Sequence, residues 1–135
     1  MNPSDFHAGQ TLTEITTLFK TLSEPNRLRI FAELMTGDSC NCELKDRLGM
    51  PANLLSHHLR ALSEAGLVTS RRDSIDGRWI YYSVDRSTAA RWQGWFSEFL
   101  DPARIQERPV CGPEGQILPA EIKLVEVTTE EGRAR

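Results

Sequence analysis

Two stripes of opposite character run along Pro51 to Ala65, and no other stretch narrows the fold of this chain as much. Leu55, Leu59 and Leu62, with His58 beside them, share one face at helical spacing. Asn53, Ser56, His57 and Arg60 recur at i, i+3, i+4 and i+7 on the opposite face. A helix with one apolar side buries that side against neighbours and holds the other toward solvent. The outward residues here are side-chain types that read base edges in a DNA major groove. Pro51 suits the first turn of this helix, and Gly66 closes it.

The flanking segments supply what such a helix packs against. Thr11 and Glu14 form a capping-box pattern ahead of Leu12, Ile15, Phe19 and Leu22, which predicts a first helix over residues 12–22. Ser23-Glu24-Pro25 opens a second helix, with Leu28, Phe31, Ala32 and Met35 as its apolar stripe and Gly37 as its end. Asp38 and Ser39 offer caps to a short third helix over 41–48, stopped by Gly49. Residues 67–72 and 78–83 are rich in β-formers, and Asp76-Gly77 between them favours a tight turn with arginines near its tip. Asp85 then caps a last helix on which Trp92, Trp95, Phe96 and Phe99 form an aromatic stripe. That stripe needs a partner, which the first helix and the same pair from a second subunit can supply.

The expected architecture is mainly α with a small β-hairpin, in the order α-α-α-α-β-β-α of a homodimeric winged helix-turn-helix. Residues 1–10 are expected to be a flexible N-terminus, 11–100 the DNA-binding and dimerisation domain, and 101–135 a C-terminal tail. Pro109, Pro113 and Pro119 break any long element in that tail, leaving room for one short strand about 122–127.

Composition excludes several alternatives. A chain of 135 residues, 39% apolar and 26% charged, suits one globular domain. Its net charge of -3 is not the global signature of a nucleic-acid binder, but Arg60, Arg71, Arg72 and Arg78 lie close together in the chain. No stretch approaches the roughly 18 apolar residues of a membrane helix, and residues 1–10 are too polar for a signal peptide, so a cytoplasmic location without membrane association is expected. There thiols stay reduced. Cys40, Cys42 and Cys111 are therefore not expected to form structural disulfides, and remain open as buried fillers, metal ligands or redox switches. No Gly-rich phosphate loop, no HExxH and no recognisable nucleophile–histidine–acid set is present, so no enzymatic activity is expected.

Four motifs in order carry a family resemblance: residues 19–30 (FKTLSEPNRLRI), 40–44 (CNCEL), 55–62 (LSHHLRAL) followed by 65–68 (AGLV), and 77–83 (GRWIYYS). The chain resembles the ArsR/SmtB metalloregulators from about Leu18 to Phe99. The resemblance implies a homodimer built from the first and last helices that binds a palindromic double-stranded operator. It also implies recognition helices in successive major grooves and wings on the flanking backbone. Carried over residue by residue, Asn53, Ser56, His57 and Arg60 face the bases, and Arg71, Arg72 and Arg78 contact phosphates from the wing. His58, among the leucines, is expected to be a satisfied packing histidine.

Cys-x-Cys at the start of the third helix is the family's arsenic and soft-metal position, kept here as Cys40 and Cys42. The implied inducer is As(III) or another thiophilic ion: Sb(III), Cd(II), Pb(II) or Zn(II). Residues two apart on a helix diverge by about 200°, so both thiols can hold one ion only if Cys40 lies at or before the first turn. Lys45 stands where some relatives place a third cysteine, which makes Cys111 the candidate third sulfur, with His7 as another donor. No histidine lies between Asp85 and Leu100, which disfavours the family's other zinc site on the last helix. The implied output is repression that a thiophilic ligand relieves. The alternative is a thiol redox or reactive-sulfur switch on the same scaffold, with Cys111 bonding to Cys40 or Cys42.

Overall fold

The computed structural model describes residues 8–107, with side chains from Leu12 onward. Its elements are α1 (Ala8–Leu22), α2 (Pro25–Leu34), β1 (Ser39–Cys40), α3 (Asn41–Leu48), α4 (Ala52–Glu64), β2 (Val68–Arg72), β3 (Ile80–Val84) and α5 (Arg86–Phe99), followed by a 3-10 turn at Pro102–Arg104. The expected winged helix-turn-helix order is present, with one addition. Strand β1 makes the wing a three-stranded antiparallel sheet in the order β1-β3-β2. Helix α1 also begins at Ala8, earlier than the expected Leu12.

The chain divides into two compact units. The first, residues 13–90, has a core of Ile15, Leu18, Ile30, Leu34, Leu44, Met50, Leu55, Leu59, Leu62, Leu67 and Val68. Helix α4 buries the face read from its pattern, Leu55, His58, Leu59 and Leu62. Helix α2 does not. It buries Ile30 and Leu34, while Leu28 and Met35 of the expected stripe are half exposed or more. Within the expected Ser23-Glu24-Pro25 opening the cap is Glu24: its carboxylate accepts the Arg27 N–H at 2.9 Å, and Pro25 fills the first turn, where no N–H is required. The Arg27 guanidinium also donates to the Thr21 carbonyl at 2.6 Å, which fixes the rotation of α2 after α1.

The turn between α3 and α4 depends on Gly49, whose φ of 60° and ψ of 37° are left-handed and cost a side-chain-bearing residue more. Arg29 of α2 donates to the Leu48 carbonyl at 3.1 Å and holds that turn against the core. Gly66, with φ of 75°, ends α4 in a Schellman arrangement in which Leu67 N–H reaches the Leu62 carbonyl and Gly66 N–H the Ser63 carbonyl.

The hairpin pairs Val68 with Val84 and Arg72 with Ile80. The expected tight turn at Asp76-Gly77 is present within the loop 73–79, where Trp79 N–H bonds the Asp76 carbonyl at 3.1 Å. The Asp73 carboxylate accepts the N–H groups of Ile75 and Asp76 and shapes the approach to that turn, while Asp73 N–H bonds the Trp79 carbonyl at 2.8 Å just beyond the last strand pair. Asp85 caps α5 as expected, accepting from Thr88 N–H at 3.1 Å and Ser87 Oγ at 2.8 Å; these bonds hold its carboxyl below the usual range.

The second unit contains the described residues 8–12 and 91–107. Here Trp95 is 1% exposed, stacked on Phe99 at 4.5 Å and edge-on to Phe96 at 5.2 Å. Trp95 is thus the buried centre of the stripe, with Trp92, Phe96 and Phe99 half-buried around it. Among the described residues no helix is long and apolar enough to cross a membrane. His7, Cys111 and the strand expected about 122–127 lie outside the described residues.

Candidate nucleic-acid interface and thiol pair

The structure places Asn53, Ser56, His57 and Arg60 on the exposed side of α4, directly behind the leucines that enter the core. Because those leucines are 3% exposed or less, the polar stripe has little freedom to rotate about the helix axis. His58 is buried as expected, at 5% exposure, but only half satisfied. Its Nε2 lies 3.6 Å from the Glu24 carboxylate, and its Nδ1 has no partner.

The three wing arginines differ from one another. Arg71 lies with its guanidinium 4.5 Å from the centroid of the Tyr81 ring, within cation–π range. Arg72, its neighbour on β2, donates to the Gly77 carbonyl at 2.7 Å and braces the loop. Arg78 is 89% exposed at its side chain, yet it is paired with Asp76 at 2.8 Å, which holds that carboxyl below the usual range. All three are on the wing. Arg78 is paired with an acidic side chain, so its positive field outward is reduced.

Cys40 and Cys42 are both free thiols in very different surroundings: Cys40 is buried and Cys42 exposed. The caps expected for α3, Asp38 and Ser39, are not used. Ser39 is pulled into the sheet opposite Tyr82 and buried, so the cap falls to Cys40. The Cys40 sulfur accepts the Glu43 N–H at 3.4 Å, and the Glu43 carboxylate accepts the Cys40 N–H at 3.1 Å. This is a capping box with a thiol in place of the usual hydroxyl. The Cys40 backbone and thiol, with Arg47 nearby, hold the Glu43 carboxyl below its ordinary value. Cys40 is extended, at φ -82° and ψ 164°, which meets the geometric condition for two thiols on one ion. A third donor is not nearby among the described residues, where no group of three His, Cys, Asp or Glu side chains could hold a metal.

Residues that sequence reasoning passed over complete this region. The Asn41 side-chain oxygen accepts the Ile80 N–H at 3.4 Å, and Tyr81 stands between Cys40 on β1 and Arg71 on β2. Cys40-x-x-Glu43 was a readable signal, since it is the S/T-x-x-E box with sulfur for oxygen. The pairing of β1 with β3 had no comparable signal, because a two-residue strand has no pattern.

Comparison with known proteins identifies the family. Residues 24–70 match the family described as bacterial regulatory protein, arsR family. An uncharacterised HTH-type transcriptional regulator of Methanocaldococcus jannaschii is 40% identical over 70 residues, covering 50% of this chain and 75% of the relative. The arsenical resistance operon repressor of Staphylococcus xylosus is 38% identical over 60 residues, covering 44% of this chain and 58% of that repressor. Among solved structures, the homodimeric winged helix-turn-helix DNA-binding domain of a possible ArsR-family regulator from Mycobacterium bovis superposes with a TM-score of 0.54 at 28% identity. It covers 62% of this chain and 75% of that one. With its two-faced α4, its arginine-bearing wing and these matches, the chain belongs to the ArsR family of bacterial transcriptional regulators.

Proposed function

We propose that this protein is a homodimeric repressor that binds a palindromic operator and leaves it when a thiophilic metalloid or metal, arsenite first, is held by Cys40 and Cys42. One observation carries the DNA part. The exposed stripe Asn53, Ser56, His57 and Arg60 is backed by a buried leucine face and stands on the same unit as a wing bearing Arg71, Arg72 and Arg78. In that role the helix reads base edges while the wing meets phosphates. Dimerisation draws support from the homodimeric Mycobacterium bovis domain and from the apolar surface that Leu28 and Met35 leave outside the core of a single chain.

The inducer part draws support from the staphylococcal arsenical repressor and from the two thiols at the first turn of α3. Cys40 and Cys42 would each replace a hydroxyl of arsenous acid, forming a sulfur–arsenic bond and releasing water, with no electron transferred. Cys111 is the candidate third sulfur. The same pair suits Sb(III), Cd(II), Pb(II) or Zn(II).

Fluorescence anisotropy on a duplex carrying the palindrome upstream of the protein's own gene tests this. Salt-dependent binding is expected, weakened by stoichiometric arsenite by about 5- to 150-fold, the usual range of allosteric coupling. Cys42→Ser and Cys111→Ser should bind DNA normally and ignore arsenite. Tight binding indifferent to arsenite would overturn the inducer, and absence of salt-dependent binding would overturn the DNA reading.

A further inference from the structure

Cys40 occupies three structural positions at once. It is the last residue of β1, paired with Tyr81; it caps α3 through its sulfur; and it is buried. Tyr81 is in turn paired with Arg71 on β2, so Cys40, Tyr81 and Arg71 form one cross-strand row over the sheet. Residues directly opposite on neighbouring strands project to the same face. The row ends in the contact of the Arg71 guanidinium with the Tyr81 ring. One residue further on, Asn41 holds the Ile80 N–H and pins the start of α3 to the same strand.

We propose that Cys40 is a positioning residue that ties the thiol pair to the wing, so that withdrawal of its sulfur from the α3 cap loosens β1 from β3 and unseats Arg71. The reading of Cys40 and Cys42 as ligands to a thiophilic ion, given above, is what makes this a regulatory path. Cys42 is exposed and Cys40 is not. Two sulfurs on one ion must approach it to about 2.3 Å, the zinc–thiolate distance, so the Cys40 sulfur has to turn out of its cap to join Cys42. The Glu43 N–H then loses its acceptor. Strand β1 is only Ser39 and Cys40, too short to stay paired once its end is freed. The wing responds as a consequence, before any movement of α4 is required.

The test compares Cys40→Ser, which keeps an oxygen acceptor for the cap, with Cys40→Ala, which does not. Hydrogen exchange by mass spectrometry on the full chain, without ligand, reads residues 78–84 against 52–64. Cys40→Ser should exchange as the native protein does. Cys40→Ala should exchange about tenfold faster at 78–84, as the usual cost of a lost N-cap implies, with 52–64 unchanged. Equal behaviour of the two variants, or acceleration spread equally over both segments, would overturn the proposal. Should Cys40→Ala not fold, Asn41→Ala decides instead: it removes the hold on Ile80 and keeps both thiols, and unchanged exchange at 78–84 would overturn the link. Arsenite added to the native protein should reproduce the Cys40→Ala pattern, and a response confined to 41–64 would overturn the wing as the path. Arsenite capture, followed by sulfur–arsenic absorbance, is measured separately. Its absence would defeat the inducer reading, while the Ser–Ala contrast still decides whether the cap controls the wing.

Discussion

Helices α4 and α2 carry apolar stripes of the same spacing, and only one of those stripes marks the core. On α4 the leucines and His58 are buried and every residue of the opposing polar stripe is exposed. On α2 the equally regular Leu28, Ala32 and Met35 face outward, and Ile30 and Leu34 go in. Pattern alone decides orientation when a helix has one apolar side. Helix α2 has two, and polar ties from Arg27 to the Thr21 carbonyl and from Arg29 to the Leu48 carbonyl select between them. The lesson is that a stripe left over after the core is filled points to an interface, not to an error in the periodicity.

The contrast can be broken at several points. Leu62→Ala, at a fully buried position, should cost about 2–5 kcal/mol by denaturant unfolding, because a cavity adds to the lost burial. The outward face of α4 is sharpened by Arg60→Ala, expected to weaken operator binding by about 1–3 kcal/mol with the unfolding midpoint unchanged. An equal fall in stability would mean that this face is structural. On the wing, Arg71→Ala should make the salt dependence of binding shallower by about 1 in slope, and Arg78→Ala by less, since Asp76 already partners Arg78. The reverse ranking would show that the Asp76 pair opens on DNA.

Met35→Ala, at 57% exposure, should cost about 0.5 kcal/mol or less in dilute protein. A loss matching Leu62→Ala that does not depend on protein concentration would place the outer α2 stripe in the core of the single chain and erase the distinction, whereas a loss that grows with concentration would fit an interface. The smallest expected effect is in acid. Asp85 and Asp76 have carboxyls held below their ordinary values by hydrogen bonds from Ser87 and Thr88 and from Arg78. A depressed folded-state value contributes stability above the unfolded value of about 3.9 and loses it as pH falls through the folded one. Thermal melts from pH 7 to 3 should therefore decline only below about pH 4, and less steeply in Asp85→Asn.

Much of the fold and of the candidate DNA face was legible because it rests on local rules. The bounds of α3, the two faces of α4, the hairpin and the Asp85 cap each follow from spacing or from one capping side chain. The candidate thiol site was only half legible. Spacing placed Cys40 and Cys42 at the head of α3, but their difference in burial arises from β1, whose partner lies far along the chain.

The sequence by itself determined the bounds of α3 and α4 and which side of α4 is polar, since these depend on neighbours within a turn or two. Tertiary structure alone decided that α2 turns its longer stripe outward. It also decided that Cys40 is held between α3 and Tyr81. Those outcomes depend on hydrogen bonds and strand pairing between segments brought together only when the core closes, and no local pattern encodes them.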